Sequence, residues 1–421
     1  MQTPIRNYII LFFFATLSFF GTFLNFANAN VIKVCQQCPI ATVKQGILAA
    51  NNGDTIIIKK GNYRERNIIV NKSITILGEN YPVIDGENKG QIFFIKANSV
   101  TIKGLQIQNV GNSYVEDWAG IKISNAKNCV IKNNKLCNTF FGIYFAKSEN
   151  CTVRGNEVTG TSKNEIEAGN AIHLWYCKNM LIENNHLTGH RDGIYFEFVT
   201  ESKIFNNIST KQIRYGMHFM FSHHNEYYQN KFTDNDAGVA VMYSNHIYMH
   251  ENTFSDNWSP VSNGILLKGI SDSRIEKNIF EHNTVGLYAE GCDRNEIKNN
   301  NLVKNGWAVK IMGDCSDNHF EENNITANTF DVVTNSSLSH NLFERNFWSE
   351  YTGYDLDKNG TGDIPYRPVK LFTYIVENIP SAIILLRSLF IDLLNLAEKV
   401  TPVITPETLT DNKPMMKEIK W

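Results

Sequence analysis

Two methionines and a histidine stand at positions that strand geometry would bring together. In Gly216-Met217-His218-Phe219-Met220 and Gly238-Val239-Ala240-Val241-Met242, strand alternation sends Met217, Phe219, Val239 and Val241 to one face. His218, Met220, Ala240 and Met242 go to the other. If the two segments stack as neighbouring strands, Met242 lies one strand beyond Met220. Glu197, from Gly193-Ile194-Tyr195-Phe196-Glu197, lies one strand before it. His173, in Ala171-Ile172-His173-Leu174-Trp175, heads the column that runs through Tyr195 to His218. Thioether with imidazole is a donor mix that suits copper, Cu(I) above all, rather than calcium, magnesium or an ordinary zinc site. His218, Met220 and Met242 are therefore the expected copper ligands, with His173 and Glu197 as secondary candidates. The competing use of such side chains is packing beneath a loop or a partner, which needs no metal.

The elements that must position these residues are legible as a repeat. The pattern apolar-x-x-Asn-x-apolar, with Ser209 the one polar final residue, places asparagines at 134, 156, 185, 207, 230, 252, 278, 300, 323 and 346. The steps between them are 22, 29, 22, 23, 22, 26, 22, 23 and 23 residues. A fixed period of this size marks a solenoid whose repeats bury their apolar faces against their neighbours. Strand and turn character without helical spacing predicts an all-β chain, a right-handed parallel β-helix over 55–348. The asparagines are expected in one column at the turns, where Asn tolerates a left-handed backbone and its amide can bond the next rung. The two long steps predict inserted loops near 161–169 and 257–262. An N-terminal cap over 30–54 contains an amphipathic helix at 40–51, needed because a β-helix end exposes a strand edge. An Asp/Gly-rich segment follows at 349–370, then apolar helices at 371–400 and a tail at 401–421.

A net charge of −2 gives no reason to expect nucleic acid as a partner. Arg6 precedes the apolar run Tyr8–Phe20, and Ala27-Asn28-Ala29 fits a small-x-small cleavage box, so 1–29 reads as a secretory signal peptide. In an exported chain, eight cysteines invite disulfides. Cys35 and Cys38 are either a local disulfide or spare thiols, or else a soft-metal or redox pair. Cys129 with Cys151, and Cys292 with Cys315, fall one period apart, close enough for a bridge or simply filling a tight corner. Asp355, Asp357, Asn359 and Asp363 resemble the start of a calcium loop, but Tyr366 holds the twelfth position, where a bidentate Glu belongs. The alternatives are calcium or an Asp/Gly turn network. Ile383, Ile384, Leu386, Phe390, Leu393 and Leu394 make the tail helix strongly apolar, while Arg387 and Asp392 interrupt it too soon for a membrane span. Such a helix either packs on the solenoid or docks on a membrane protein or bilayer surface.

The ordered set Ala171-Ile172-His173-Leu174-Trp175, Gly189-His190-Arg191-Asp192-Gly193-Ile194-Tyr195, Arg214-Tyr215-Gly216-Met217-His218-Phe219-Met220 and Val241-Met242-Tyr243-Ser244 resembles the NosD family. The ending Asp363-Ile364-Pro365-Tyr366-Arg367-Pro368 and the apolar tail extend the resemblance over almost the whole mature chain. These are periplasmic copper-binding accessory proteins of nitrous-oxide reductase maturation. The resemblance implies a role in assembling the reductase's copper–sulfide centre, on an ABC transporter whose membrane subunit receives the tail. The reductase and a copper-donor protein are the further partners. The rival is a carbohydrate-active β-helix enzyme, such as a polysaccharide lyase, hydrolase or epimerase. That chemistry needs paired carboxylates, or an acid and a base beside calcium. No second carboxylate stacks beside Glu197, and His190, Arg191 and Asp192 make only a small set, so no catalysis is expected.

Overall fold

The computed structural model describes residues 29–113, 115–161, 164–336, 340–386, 388–400 and 409–420. The expected leader over 1–29 lies outside these residues except for Ala29. Each coil contributes one short strand to each of three sheets, which among the described residues hold 14, 13 and 12 strands. Neighbouring strands pair in parallel, as in Val130–Lys132 on Thr152–Arg154, Lys135–Cys137 on Glu157–Thr159 and Ala119–Ser124 on Phe141–Ala146. The apolar repeat positions Ile131, Leu136, Ile143 and Phe145 are all fully buried, and one continuous core runs inside the coils. The chain is a parallel β-helix.

The ten asparagines form the expected column at the corner between the first and second sheets. The backbone N–H and the side-chain Nδ2 of Asn134 both donate to Asn156 Oδ1 at 3.0 Å, and the same double bond repeats coil by coil. It ends as Asn323 donates to Asn346 at 3.0 and 2.9 Å. One expectation is corrected. The left-handed residue is the one before each asparagine: Asn133, Gly155, Asn184, Asn206, Gln229, Glu251, Lys277, Asn299, Glu322 and Arg345 all have φ between 53° and 63°. The asparagine is selected for its amide, and the tight turn falls on a neighbour of almost any type. A second ladder, unforeseen in the repeat, joins Gln212, Asn235, Asn257, Asn283, Asn305 and Asn328 at the corner between the second and third sheets.

Both ends are closed. Val31–Val34 pairs with Thr55–Ile58, so the first sheet begins ahead of the N-terminal helix. That helix, Val43–Ala49, is held by a capping box of Thr42 and Gln45, and Ala50 ends it with an extended backbone. Gly46 lets it approach closely, since a Cβ there would sit 2.7 Å from Val34 Cγ2. Cys35 and Cys38 form a disulfide within the turn before it. At the far end the tail returns over the last coil. Asp411 accepts from Asn346 N and Nδ2 at 2.9 and 3.2 Å and from Trp348 Nε1 at 3.0 Å, which terminates the ladder with an acceptor. The helices Leu371–Asn378 and Leu389–Val400 pack Phe372, Val376 and Ile391 on Phe330 and Trp307 of the third sheet. Lys310 pairs with Glu377 at 2.7 Å.

Candidate metal site and its surroundings

The third sheet carries the candidate residues in the expected register. Trp175 pairs with Glu197, Glu197 with Met220, and Met220 with Met242; alongside run His173, Tyr195, His218 and Ala240. Ile194, Phe196, Met217, Phe219, Val239 and Val241 are fully buried inside the coils, so the Met and His column stands on the outer face. Lys268 follows Met242 and is paired with Glu290 at 3.0 Å. The chain between the second and third sheets lengthens on both sides of these coils, before Ile172–Trp175 and before Asn263–Lys268.

Outward does not mean exposed. His218 is only 5% accessible, its ring held edge-on by Tyr195 and Tyr215 at 4.9 and 5.0 Å. Its Nδ1 lies 3.8 Å from Asp192 Oδ2 and 3.5 Å from Arg214 Nη2. Its Nε2 is buried and has no hydrogen-bond partner. A buried polar atom without a partner is costly, so an orphan imidazole nitrogen calls for an explanation, and a ligand is one. Tyr195 Oη lies 3.7 Å from Met220 Sδ, which ties the thioether to the same cluster.

The cluster rests on an ion pair that the sequence reading left unassigned. Asp192, fully buried, accepts from Arg214 Nε at 2.9 Å and Nη2 at 2.5 Å, a fork-on-fork geometry. Burial alone would push this carboxyl up, but the neighbouring His218 and the hydrogen bonds and charge of Arg214 outweigh it and hold the group below its ordinary value. The sequence groups Asp192 only with His190 and Arg191, because alternation fails at the corner and hides its place beside His218. A Cβ on Gly193 would meet Ser209 Oγ at 2.1 Å, so the glycine and Ile194 both face inward while Asp192 reaches the outside.

The secondary candidates divide. His173 stacks between Tyr144 at 4.5 Å and Tyr195 at 4.7 Å, with Asn170 Nδ2 2.9 Å from its Nδ1. Burial, then the nearby Arg191 charge, hold it down to about 3, so it is a neutral packing ring. Glu197 stays in the column between Trp175 and Met220. Cys35 and Cys38 are corrected as metal candidates, because sulfurs shared in a disulfide offer no thiolate. Cys129, Cys151, Cys292 and Cys315 are free and buried; Cys151 and Cys315 accept N–H groups of the neighbouring coil. His190 lies apart from the cluster, against Thr139 at 3.3 Å.

At 355–363 the side-chain oxygens expected for calcium accept backbone N–H groups. Asp355 accepts from the N–H groups of Asn359 and Gly360, Asp357 from Asn359, Asn359 from Thr361, and Asp363 from Leu356. These bonds knit the segment into a set of tight turns. The docking residues also divide. Ile383, Ile384, Phe390 and Leu393 are exposed, whereas Leu386 and Leu394 are half-buried against the cluster of Phe330, Phe372, Val376 and Ile391. No described helix is long and apolar enough to cross a membrane.

Solved structures with the same architecture include the Dettilon tailspike protein (TM-score 0.61, 15% identity, 74% of this chain and 70% of that one). Another is the catalytic unit of a GH87 alpha-1,3-glucanase from Streptomyces thermodiastaticus (TM-score 0.61, 13% identity, 74% and 66%). At such identity the likeness shows the fold alone. Two curated relatives bear the name "Probable ABC transporter binding protein NosD". That of Pseudomonas aeruginosa is 25% identical over 386 residues, 83% of this chain and 86% of its own length. That of Stutzerimonas stutzeri is 26% identical over 386 residues, 80% of each. The family model described as "Periplasmic copper-binding protein (NosD)" matches residues 47–169 and 161–355. With that match spanning most of the solenoid and its metal-suited face, the chain belongs to the NosD family.

Proposed function

We propose that this chain is a periplasmic accessory protein that takes up copper on the outer face of its third sheet. It acts with an ABC transporter in the maturation of nitrous-oxide reductase. The observation that carries the reading is His218, a buried imidazole with an orphan Nε2, in register with the Met220–Met242 pair. Two thioethers and one imidazole form a soft set suited to Cu(I), and they fit a cargo ion that must later be surrendered. With its proton on Nδ1, facing the Asp192 carboxylate, the His218 ring would keep the Nε2 lone pair for the ion. The names of the two curated relatives support a transporter partner. The exposed side of the tail hairpin, Ile383, Ile384, Phe390 and Leu393, supplies the docking surface, and a copper donor and the reductase meet the protein along the solenoid.

Cu(I) titration of the purified full chain against a chromophoric competitor tests the metal site. Met220→Ala/Met242→Ala, and the triple variant that adds His218→Ala, should abolish tight Cu(I) binding with circular dichroism unchanged. The double variant keeps buried His218 in place, so it separates ligand loss from a packing defect. Undiminished Cu(I) stoichiometry and affinity in a folded triple variant would overturn the assignment.

A further inference from the structure

The turn residues beside the methionine column are aromatic where the rest of their own column is not. Met220 is followed by Phe221 and Met242 by Tyr243; on the two coils before, Glu197 is followed by Phe198 and Trp175 by Tyr176. Ahead of this run the same turn holds Asn125 and Lys147, and beyond it Gly269 and Gly291. All eight residues have a left-handed backbone, with φ between 50° and 61°. Asparagine and glycine take that conformation most cheaply, and a bulky ring there is the outlier. Rings confined to four successive coils therefore direct attention to what those coils carry.

The rings stack along the axis. Tyr176 lies on Phe198 at 4.5 Å, Phe198 on Phe221 at 5.4 Å and Phe221 on Tyr243 at 5.3 Å, with planes within 21° of parallel. Trp175, in the methionine column itself, meets Tyr176 edge to face at 4.8 Å and joins the two rows. Gly269 ends the stack, because a Cβ there would stand 3.0 Å from Tyr243 Cδ1. Burial shows how the rings relate to the thioethers. Phe219, Ser222, Val241 and Ser244 point inward and are buried. Between them, Met220 with Phe221 and Met242 with Tyr243 face outward as adjacent pairs. Each thioether thus has a ring beside it on the turn side, and on the other side Tyr195 Oη lies 3.7 Å from Met220 Sδ.

We propose that this row of rings is a wall that keeps water and oxidants from the Met220 and Met242 thioethers. Stacked across four coils, it forms a continuous apolar rim along one flank of the column. The apolar shell of a metal site controls solvent access and redox potential, and a drier flank favours the lower charge of Cu(I) over Cu(II). The shielding stands on its own geometry; only its service to Cu(I) rests on the proposed function. Met312 supplies a comparison within the chain. It follows the strand Trp307–Ile311 and is partly exposed like the other two, but its turn neighbour is Gly313.

Hydrogen peroxide added to the metal-free full chain tests the wall, read as methionine sulfoxide by peptide mass spectrometry. One peroxide oxygen passes to the sulfur and the other leaves as water. In the native chain Met220 and Met242 should oxidise at least fivefold more slowly than Met312. Phe221→Asn/Tyr243→Asn should erase that difference while Met312 keeps its rate. Asparagine suits the left-handed turn, as Asn125 shows, so this variant should melt no lower than the native chain. Phe221→Tyr/Tyr243→Phe keeps both rings and should behave as the native chain does. After loading with Cu(I) alone, exposure to air should raise the Cu(II) paramagnetic signal at least tenfold faster in the asparagine variant. Equal oxidation of all three methionines in the native chain, or protection that survives in the folded asparagine variant, would overturn the proposal. An unchanged rate in air would overturn its link to Cu(I). Protected thioethers in a native chain that takes up no Cu(I) would uphold the wall and overturn the proposed function alone.

Discussion

Asn207 shows how completely one side chain is used. Its Nδ2 donates to Ile182 O, Phe205 O and Asn230 Oδ1, and its Oδ1 accepts both N–H and Nδ2 of Asn185. Asn207→Ala strands those groups in a dry interior and should cost about 1–3 kcal/mol in denaturant unfolding. Asp411→Ala should cost a similar ~1–3 kcal/mol by leaving Asn346 and Trp348 without an acceptor, while Asp411→Asn should cost less. Asp331 gives a pH signature. Burial raises its carboxyl from 3.8 to about 6, although Tyr366 Oη donates to it at 2.7 Å. The folded-state value exceeds the unfolded one, so its contribution is fully present below 3.8 and is lost as pH rises through about 6. The loss is about 3 kcal/mol at ~1.4 kcal/mol per unit. Melting from pH 4 to 8 should show that slope, and Asp331→Asn should flatten it. At this scale the outer-face column was legible, because simple alternation places His218, Met220 and Met242. Asp192 was not, since its direction depends on the corner at Gly193, where alternation breaks.

Among the elements, the tail hairpin has two unlike sides. Ile391, Phe372 and Val376 are buried against Phe330, whereas Ile384 is 85% exposed and Phe390 and Leu393 more than half exposed. Sequence apolarity alone cannot divide such a helix; the division comes from where Phe330 and Trp307 present a surface to it. Ile384→Ser/Phe390→Ser/Leu393→Ser should leave melting and copper uptake unchanged and abolish co-purification with the transporter. Retention of the complex would refute the docking role. Truncation after Pro380 is a poorer test. It also removes Leu409 and Asp411, which close the last coil. The repeat predicted the coils and their inward and outward positions, because each coil must bury its own apolar face. It could not predict this returning strap, whose residues follow no period and whose contacts are with chain some 65 residues away.

For the whole molecule, ladder and sheets together make a rod in which position is counted in coils. The Met242 strand and the Phe330 strand, which receives the hairpin, are separated by four pairing steps in the third sheet. At ~4.8 Å per step, the metal column stands roughly 19 Å along the axis from the hairpin's seat. Asparagines on every coil hold that spacing against compression or slip, and Asp411, with acceptors alone, lets the series end but not continue. The distance between the methionine column and the hairpin's seat is therefore quantised. It changes only by inserting or deleting an entire coil upstream of the cap, in increments of about 5 Å. A variant lacking one coil between Met242 and Phe330 should fold and hold copper normally, yet present the ion one increment out of reach of whatever must collect it.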